Sequence, residues 1–484
     1  MKKIISLRKD ANGSRFLGMI AAFYLAEKLN VKPCFHWYDY VELGYKKHSD
    51  SSSFYFNDQK ILSVGADSKE DIFDKDFLKE FHVDSFKDEE IVFADTPGAW
   101  LANIDDIRTA LCKDDGKKYV ECVFHFFRFD NKNRDKHKDF PQKAVEIFND
   151  KIKFNEDTQE VIHKAKNLAK SLGDFTAIHI RSGDSIYSYA PYRKHIFFDY
   201  QATSAHIAIE LINSISGKVV LFGDDISTMR QIKEFVNDDR LFIAQDLKEK
   251  LYDETGGHSL SVTKSFLFDV VFMSRAKDIF GTKSGVVNLA SQIGNANFIY
   301  THSYIQNKKA YYSMKKNLEQ LALNKDQQAC SYYYTFLLAD KLNIDISFQE
   351  YCLKKALELD EDNDKYRFHL VLYYLKHYGV KRADEYLGDI LKSRKKEFLD
   401  TISTIDGGFH TYASNELKLF FVHNDKKFPN FAVIKQDLID KGLIWRKNGI
   451  KYILYSYITS LLCKTGIINK CIKKGRIKCA YYFR

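Results

Sequence analysis

Between residues 155 and 300 short apolar runs alternate with amphipathic stretches, and this alternation constrains the chain more than any other feature. Segments 175–180, 218–222, 241–244, 278–280 and 298–300 read as strands, and 157–172, 200–215, 226–237, 261–275 and 286–293 as helices. In 200–215 the residues Ile207, Leu211, Ile212 and Ile215 share one helical face. Regular alternation of this kind predicts a parallel, doubly wound α/β sheet, whose ligands sit outside the carboxyl ends of the strands.

The chain also opens on strand, loop and helix. Lys3 to Leu7 is strand-like, Lys9 to Arg15 is a loop containing Gly13, and apolar positions 16, 17, 20, 21, 24 and 25 give a helix over 16–29. Further strands are expected at 33–38, 90–94 and 119–129, while 45–90 has no clear period. Two α/β halves in one chain suggest a cleft between them. After residue 316 the strand signal stops, and 326–341, 347–359, 364–377 and 380–394 read as four helices in two hairpins. Leu370, Tyr374, Ala383, Leu387 and Ile390 fall near tetratricopeptide spacings. The expected domains are 1–150 and 151–315, the two Rossmann-like halves, then 316–400 (helical, weakly tetratricopeptide-like) and 401–484 (a C-terminal region with a basic tail).

Charge becomes informative once located. The chain of 484 residues carries a formal net charge of +9. Residues 441–484 hold 11 Lys or Arg and no acid, while residues 1–440 hold 63 basic and 65 acidic side chains, a net of −2. A near-neutral body argues against nucleic acid as a partner. Along 450–462 apolar residues recur at 450, 453, 454, 457, 458, 461 and 462, with lysines on both flanks. A basic amphipathic helix of this type suits an anionic membrane surface; the alternative is a helix packed on the body. The 8 cysteines show no Cys-x-x-Cys pair and no zinc-ligand spacing, which fits free thiols in a reducing cytoplasm. No apolar run reaches the roughly 20 residues that span a bilayer.

Three segments are candidates for chemistry. In Ile178-His179-Ile180-Arg181-Ser182-Gly183-Asp184, Arg181 leaves a buried strand, and His179 shares its face. The Arg181 fork suits a phosphate; the alternative is an internal Arg181–Asp184 salt bridge that pins a turn. In Phe222-Gly223-Asp224-Asp225 a second strand ends in two carboxylates, which either accept from a base or ribose or cap the next helix. In Gly281-Thr282-Lys283-Ser284-Gly285 small residues precede a helix, giving either a phosphate cradle or an ordinary Ser cap. No Asp-x-Asp motif marks a metal site, and no metal is expected.

The order and spacing of these elements resemble the fucosyltransferase-like GT-B glycosyltransferases, which include α-1,6-, bacterial α-1,2- and protein O-fucosyltransferases. Their His-x-Arg-x-x-Asp signature stands here as His179, Arg181 and Asp184. The Asp-Asp strand end is Asp224–Asp225, the Asp-led helix running into Thr-x-Ser is Asp269, Thr282 and Ser284, and the N-terminal turn is Asn12-Gly13-Ser14-Arg15. The resemblance covers residues 1–305 and is closest over 175–295.

It implies two Rossmann-like domains facing a cleft and inverting, metal-independent transfer from a GDP-sugar with no other cofactor. It assigns catalysis to Arg181, His179 and Asp184, and donor binding to Asn12, Gly13, Arg15, Asp224, Asp225, Asp269, Thr282, Ser284 and Gly285. Two departures stand out: 185–190 lacks the glutamate that some relatives have after the signature, and Arg15 occupies the tip of the N-terminal turn. Asp184, Asp39 and Asp95 are candidate bases, and Tyr187, Tyr189 and Tyr192 candidate sugar-stacking residues.

The reading is a cytoplasmic enzyme, peripheral on the inner membrane face. It moves fucose or a related sugar to a bacterial surface glycan, capsule or lipooligosaccharide, on a glycan or lipid-linked acceptor, with a protein partner at the helices. The alternatives are a heptose or UDP-sugar donor and an inactive nucleotide-binding scaffold.

Overall fold

The computed structural model describes residues 2–43, 46–49, 52–56, 59–93, 104–121, 137–187, 193–194, 201–254, 260–282, 284–294, 296–305, 308–403 and 426–440. It divides into two compact units, one running to Asp360 apart from residues 194–197, the other beginning at Glu361.

The first unit holds two parallel sheets. In the N-terminal lobe, β1 (Lys3–Ser6) pairs with β2 (Pro33–Phe35). Two antiparallel hairpins follow: β3 (Tyr40–Leu43) with β4 (Lys46–Ser49), and β5 (Ser52–Phe56) with β6 (Gln59–Val64). The sheet is completed by β7 (Ile91–Phe93) and β8 (Tyr119–Glu121), in the order β2-β1-β8-β7. Ile4 and Ile5 of β1 are both fully buried, one toward each face, as a sheet covered on both sides requires. The strand expected over 119–129 is seen for its first three residues, and the rest lies outside the described residues.

The helix Asn12–Leu29 follows β1 and is buried on nearly every side, ending on Asn30 in the left-handed conformation. A helix apolar all round belongs inside a core, and this one lies between lobes. It packs on the helix Gly285–Gly294 of the second lobe. Phe16 stacks on Phe266 with centroids 6.4 Å apart and planes 8° apart. One continuous apolar core therefore runs through both lobes.

The second lobe is the expected doubly wound sheet. Its strands are β9 (Phe175–Ile180), β10 (Lys218–Gly223), β11 (Leu241–Ile243), β12 (Asp278–Gly281) and β13 (Asn297–Tyr300), in the order β11-β10-β9-β12-β13, all parallel. All six residues of β9 are buried, so this central strand is covered on both faces. The order reverses between β9 and β12, which marks the topological switch point. This is the two-lobed, GT-B-like architecture expected from the sequence.

Helices Lys308–Asn317, Lys325–Leu342 and Ile346–Leu359 belong to the first unit, beyond the expected boundary at 315. The second unit contains Asp364–His377, Val380–Ser403 and Pro429–Asp440. The two expected helical hairpins thus fall in different units. The helix expected to stop at 394 has non-helical angles at Arg394 (φ −142°, ψ 35°) and resumes to Ser403. Among the described residues no helix is long and apolar enough to cross a membrane. The basic tail lies outside them.

Candidate active site

The site grows from the carboxyl end of β9. Arg181 Nε and Nη2 donate to the two oxygens of Asp184 at 2.9 and 2.5 Å, and Nη1 donates to Gln201 Oε1 at 2.5 Å. The internal salt bridge considered from the sequence is therefore present, and it holds one edge of the guanidinium. Ser185 Oγ also donates to Asp184. Burial pushes the Asp184 carboxyl up, but the charge and hydrogen bonds of Arg181 outweigh it and hold it below the ordinary carboxylate range. A carboxylate so engaged is a brace and a poor proton acceptor.

His179, two residues back on the same strand, is 7% exposed, and its Nδ1 has no partner among the described residues. Burial, then the neighbouring Arg181 charge, lower its pKa to about 4, so the imidazole is neutral at pH 7.

The end of β10 separates its two carboxylates. Gly223 lets the strands close here, because a Cβ would sit 2.4 Å from the Ile180 carbonyl oxygen. Asp224 accepts the backbone N–H groups of Ser182 (3.2 Å) and Gly183 (2.9 Å), tying β10 to the Arg181 loop. Burial and the nearby Asp184 charge raise its pKa to about 7 against those hydrogen bonds. Asp225 is 1% exposed and fully engaged: it caps Thr228 N–H, accepts the Tyr187 hydroxyl, and accepts Gln327 Nε2 at 2.8 Å. Of the two readings considered for Asp225, capping is the one observed, and its burial shields both oxygens from solvent. Tyr187 is likewise fully buried, which removes it as a sugar-stacking residue. Tyr189, Tyr192, Asp95 and Lys283 lie outside the described residues, and Asp39 is exposed.

Across the switch point, Thr282 Oγ1 donates to the Gln201 carbonyl at 2.6 Å, and Ser284 Oγ accepts Val287 N–H as the helix cap. The helix starting at Gly285 meets the start of the helix Asn12–Leu29. A Cβ on Gly13 would lie 2.6 Å from the Gly285 carbonyl carbon, so glycine is obligatory for this contact. Two helix N-termini, each with a partial positive charge, thus meet beside the Thr282 turn. Asn12 Nδ2 reaches Gly65 O and Thr263 Oγ1, while its buried Oδ1 has no partner among the described residues.

Like Asp225, two more of the residues proposed for donor binding are occupied elsewhere. Arg15 is 2% exposed and donates to the carbonyls of Lys9, Asp10, Tyr38 and Tyr40, with its guanidinium over the Trp37 ring. It ties two loops of the N-terminal lobe together. Asp269 lies on the helix Val262–Met273 and pairs with Lys248 at 2.9 Å, with no described bond to the Arg181 cluster. Gln201 was not foreseen, because the sequence reading put it in a helix over 200–215, whereas the helix begins at Ala205 and leaves Gln201 in an irregular connection. Among the described residues no group of three or more His, Cys, Asp or Glu is arranged to hold a metal ion.

No family model and no curated protein matches the chain. Among solved structures it is similar to NodZ α-1,6-fucosyltransferase soaked with GDP-fucose, at 16% identity and a TM-score of 0.33, over 60% of this chain and 93% of that one. It is also similar to fucosyltransferase NodZ from Bradyrhizobium, at 15% identity and TM-score 0.32, over 60% and 92%. A third likeness is to POFUT1 in complex with GDP, at 12% identity and TM-score 0.28, over 61% and 98%. The fucosyltransferase-like resemblance noted in the sequence recurs in these structures at low identity.

Proposed function

We propose that the chain is an inverting, metal-independent glycosyltransferase that transfers fucose or a related sugar from a GDP-activated donor. The observation that carries this reading is the convergence at one switch point of a pinned Arg181 fork, the Thr282–Gly285 turn and two abutting helix N-termini. Together these present positive charge and hydrogen-bond donors to a diphosphate. Arg181 stabilises the charge that develops on the departing diphosphate, assisted by neutral His179, while Asp184 holds the fork. Asp224 ends the second strand of the lobe, where nucleotide folds of this order place the carboxylate that accepts ribose hydroxyls. The acceptor is a bacterial surface glycan, free or lipid-linked. The basic tail holds the enzyme on the anionic inner membrane face, and the helices dock a partner.

Replacing Arg181 by Ala should lower turnover by about 10²–10³-fold and abolish thermal stabilisation by GDP. Arg181→Lys keeps the charge without the fork and should fall between the two. A screen of wild type against GDP, UDP, ADP and CMP identifies the base; no stabilisation by any of them, or undiminished turnover in Arg181→Ala, sinks the proposal. Binding without turnover would point to a nucleotide-binding scaffold.

A further inference from the structure

We propose that Gln201 is the positioning residue that sets the Arg181 fork, locking it to the opposite wall of the site. This deepens the nucleotide-sugar reading and rests on it. Residues 201–203 cross the switch point as a clip. Thr203 N–H donates to the Arg181 carbonyl at 2.9 Å, restoring the strand-end backbone bond. The Gln201 side chain accepts from Arg181 Nη1 at 2.5 Å, while its carbonyl accepts from Thr282 Oγ1 at 2.6 Å. One residue thereby touches both the guanidinium and the Thr282 turn.

The clip is itself immobilised from outside the sheet. The carbonyl of Ala202 accepts from His302 Nε2 at 3.0 Å and from the Tyr334 hydroxyl at 2.8 Å. Those two rings are stacked with centroids 5.1 Å apart and planes 6° apart. Ala202 and Thr203 are buried, at 4% and 0% exposure, so little slack remains in the main chain. Asp184 alone holds one edge of the guanidinium and leaves the plane free to swing about that edge. Gln201 supplies the third point that fixes the plane, and a fixed plane is what bidentate recognition of a phosphate needs.

The test measures GDP and guanosine affinity by calorimetry for wild type, Gln201→Leu, Arg181→Ala and the double variant. Gln201→Leu should weaken GDP about tenfold and leave guanosine unchanged, because only the phosphates meet Arg181. In the Arg181→Ala background the same change should add nothing, since the residue acts through the guanidinium. Equal losses for GDP and guanosine, or additive losses in the double variant, would overturn the positioning role. If circular dichroism shows Gln201→Leu misfolded, Gln201→Asn carries the test, as its shorter amide cannot reach Arg181. A wild type that binds none of GDP, UDP, ADP and CDP overturns the nucleotide reading and this inference together. Wild-type binding with additive losses overturns only the inference.

Discussion

Three aspartates around Arg181 differ in what each has left to offer. Asp225 is consumed by the cap, Tyr187 and Gln327, and Asp184 by the Arg181 fork. Among the described residues Asp224 accepts only two backbone N–H groups, and it is pushed to about 7 by burial and by Asp184. Its folded pKa lies above the unfolded value of 3.8, so the native state keeps a proton that the unfolded chain releases. Its contribution to stability is therefore complete below about pH 4 and is lost as pH rises through 7. Melting temperatures of wild type and Asp224→Asn, followed from pH 4 to 8, should show a shallower alkaline decline in the variant. Parallel curves would mean that Asp224 is ionised like an ordinary surface carboxylate.

Among elements, the contact between two helix starts is the most demanding. Gly13→Ala would drive a methyl into the backbone at Gly285, where no side chain can rotate away. We expect a loss of about 1–3 kcal/mol and weaker GDP binding, both measurable by denaturant titration and calorimetry. An alanine variant with unchanged stability would show that the helices have room to separate. The same scale explains what could be read from the sequence. The second-lobe strands and helices were legible because their periods are long and regular, and His179, Arg181 and Asp184 because they form a compact motif. Residues 45–90 were not, since they hold short hairpins and helices of four and seven residues, Lys69–Ile72 and Lys75–Phe81, whose apolar residues show no period. The fate of Asp225 was hidden too, because its partner Gln327 stands 102 positions away. Gln201 had only tertiary neighbours to reveal it.

For the whole molecule, charge and core divide the work. The body is near neutral and the net positive charge sits in residues 441–484. Each lysine near an anionic surface adds about 1 kcal/mol of attraction, so deletion of 441–484 should release the protein from phosphatidylserine vesicles in a flotation assay. Undiminished flotation would assign binding to the body. The first unit also sets limits on redesign. Two-lobed α/β folds invite treatment as interchangeable cassettes, with a new lobe grafted beneath an old one. Here the helix Asn12–Leu29 packs on both lobes at once, with Phe16 against Trp37 and Phe73 of its own lobe and against Phe266 of the other, and Gly13 against Gly285. A graft at the lobe boundary would have to rebuild the packing of that helix on both of its sides, so the site of the proposed function is more readily altered by substitutions within it than by exchanging halves.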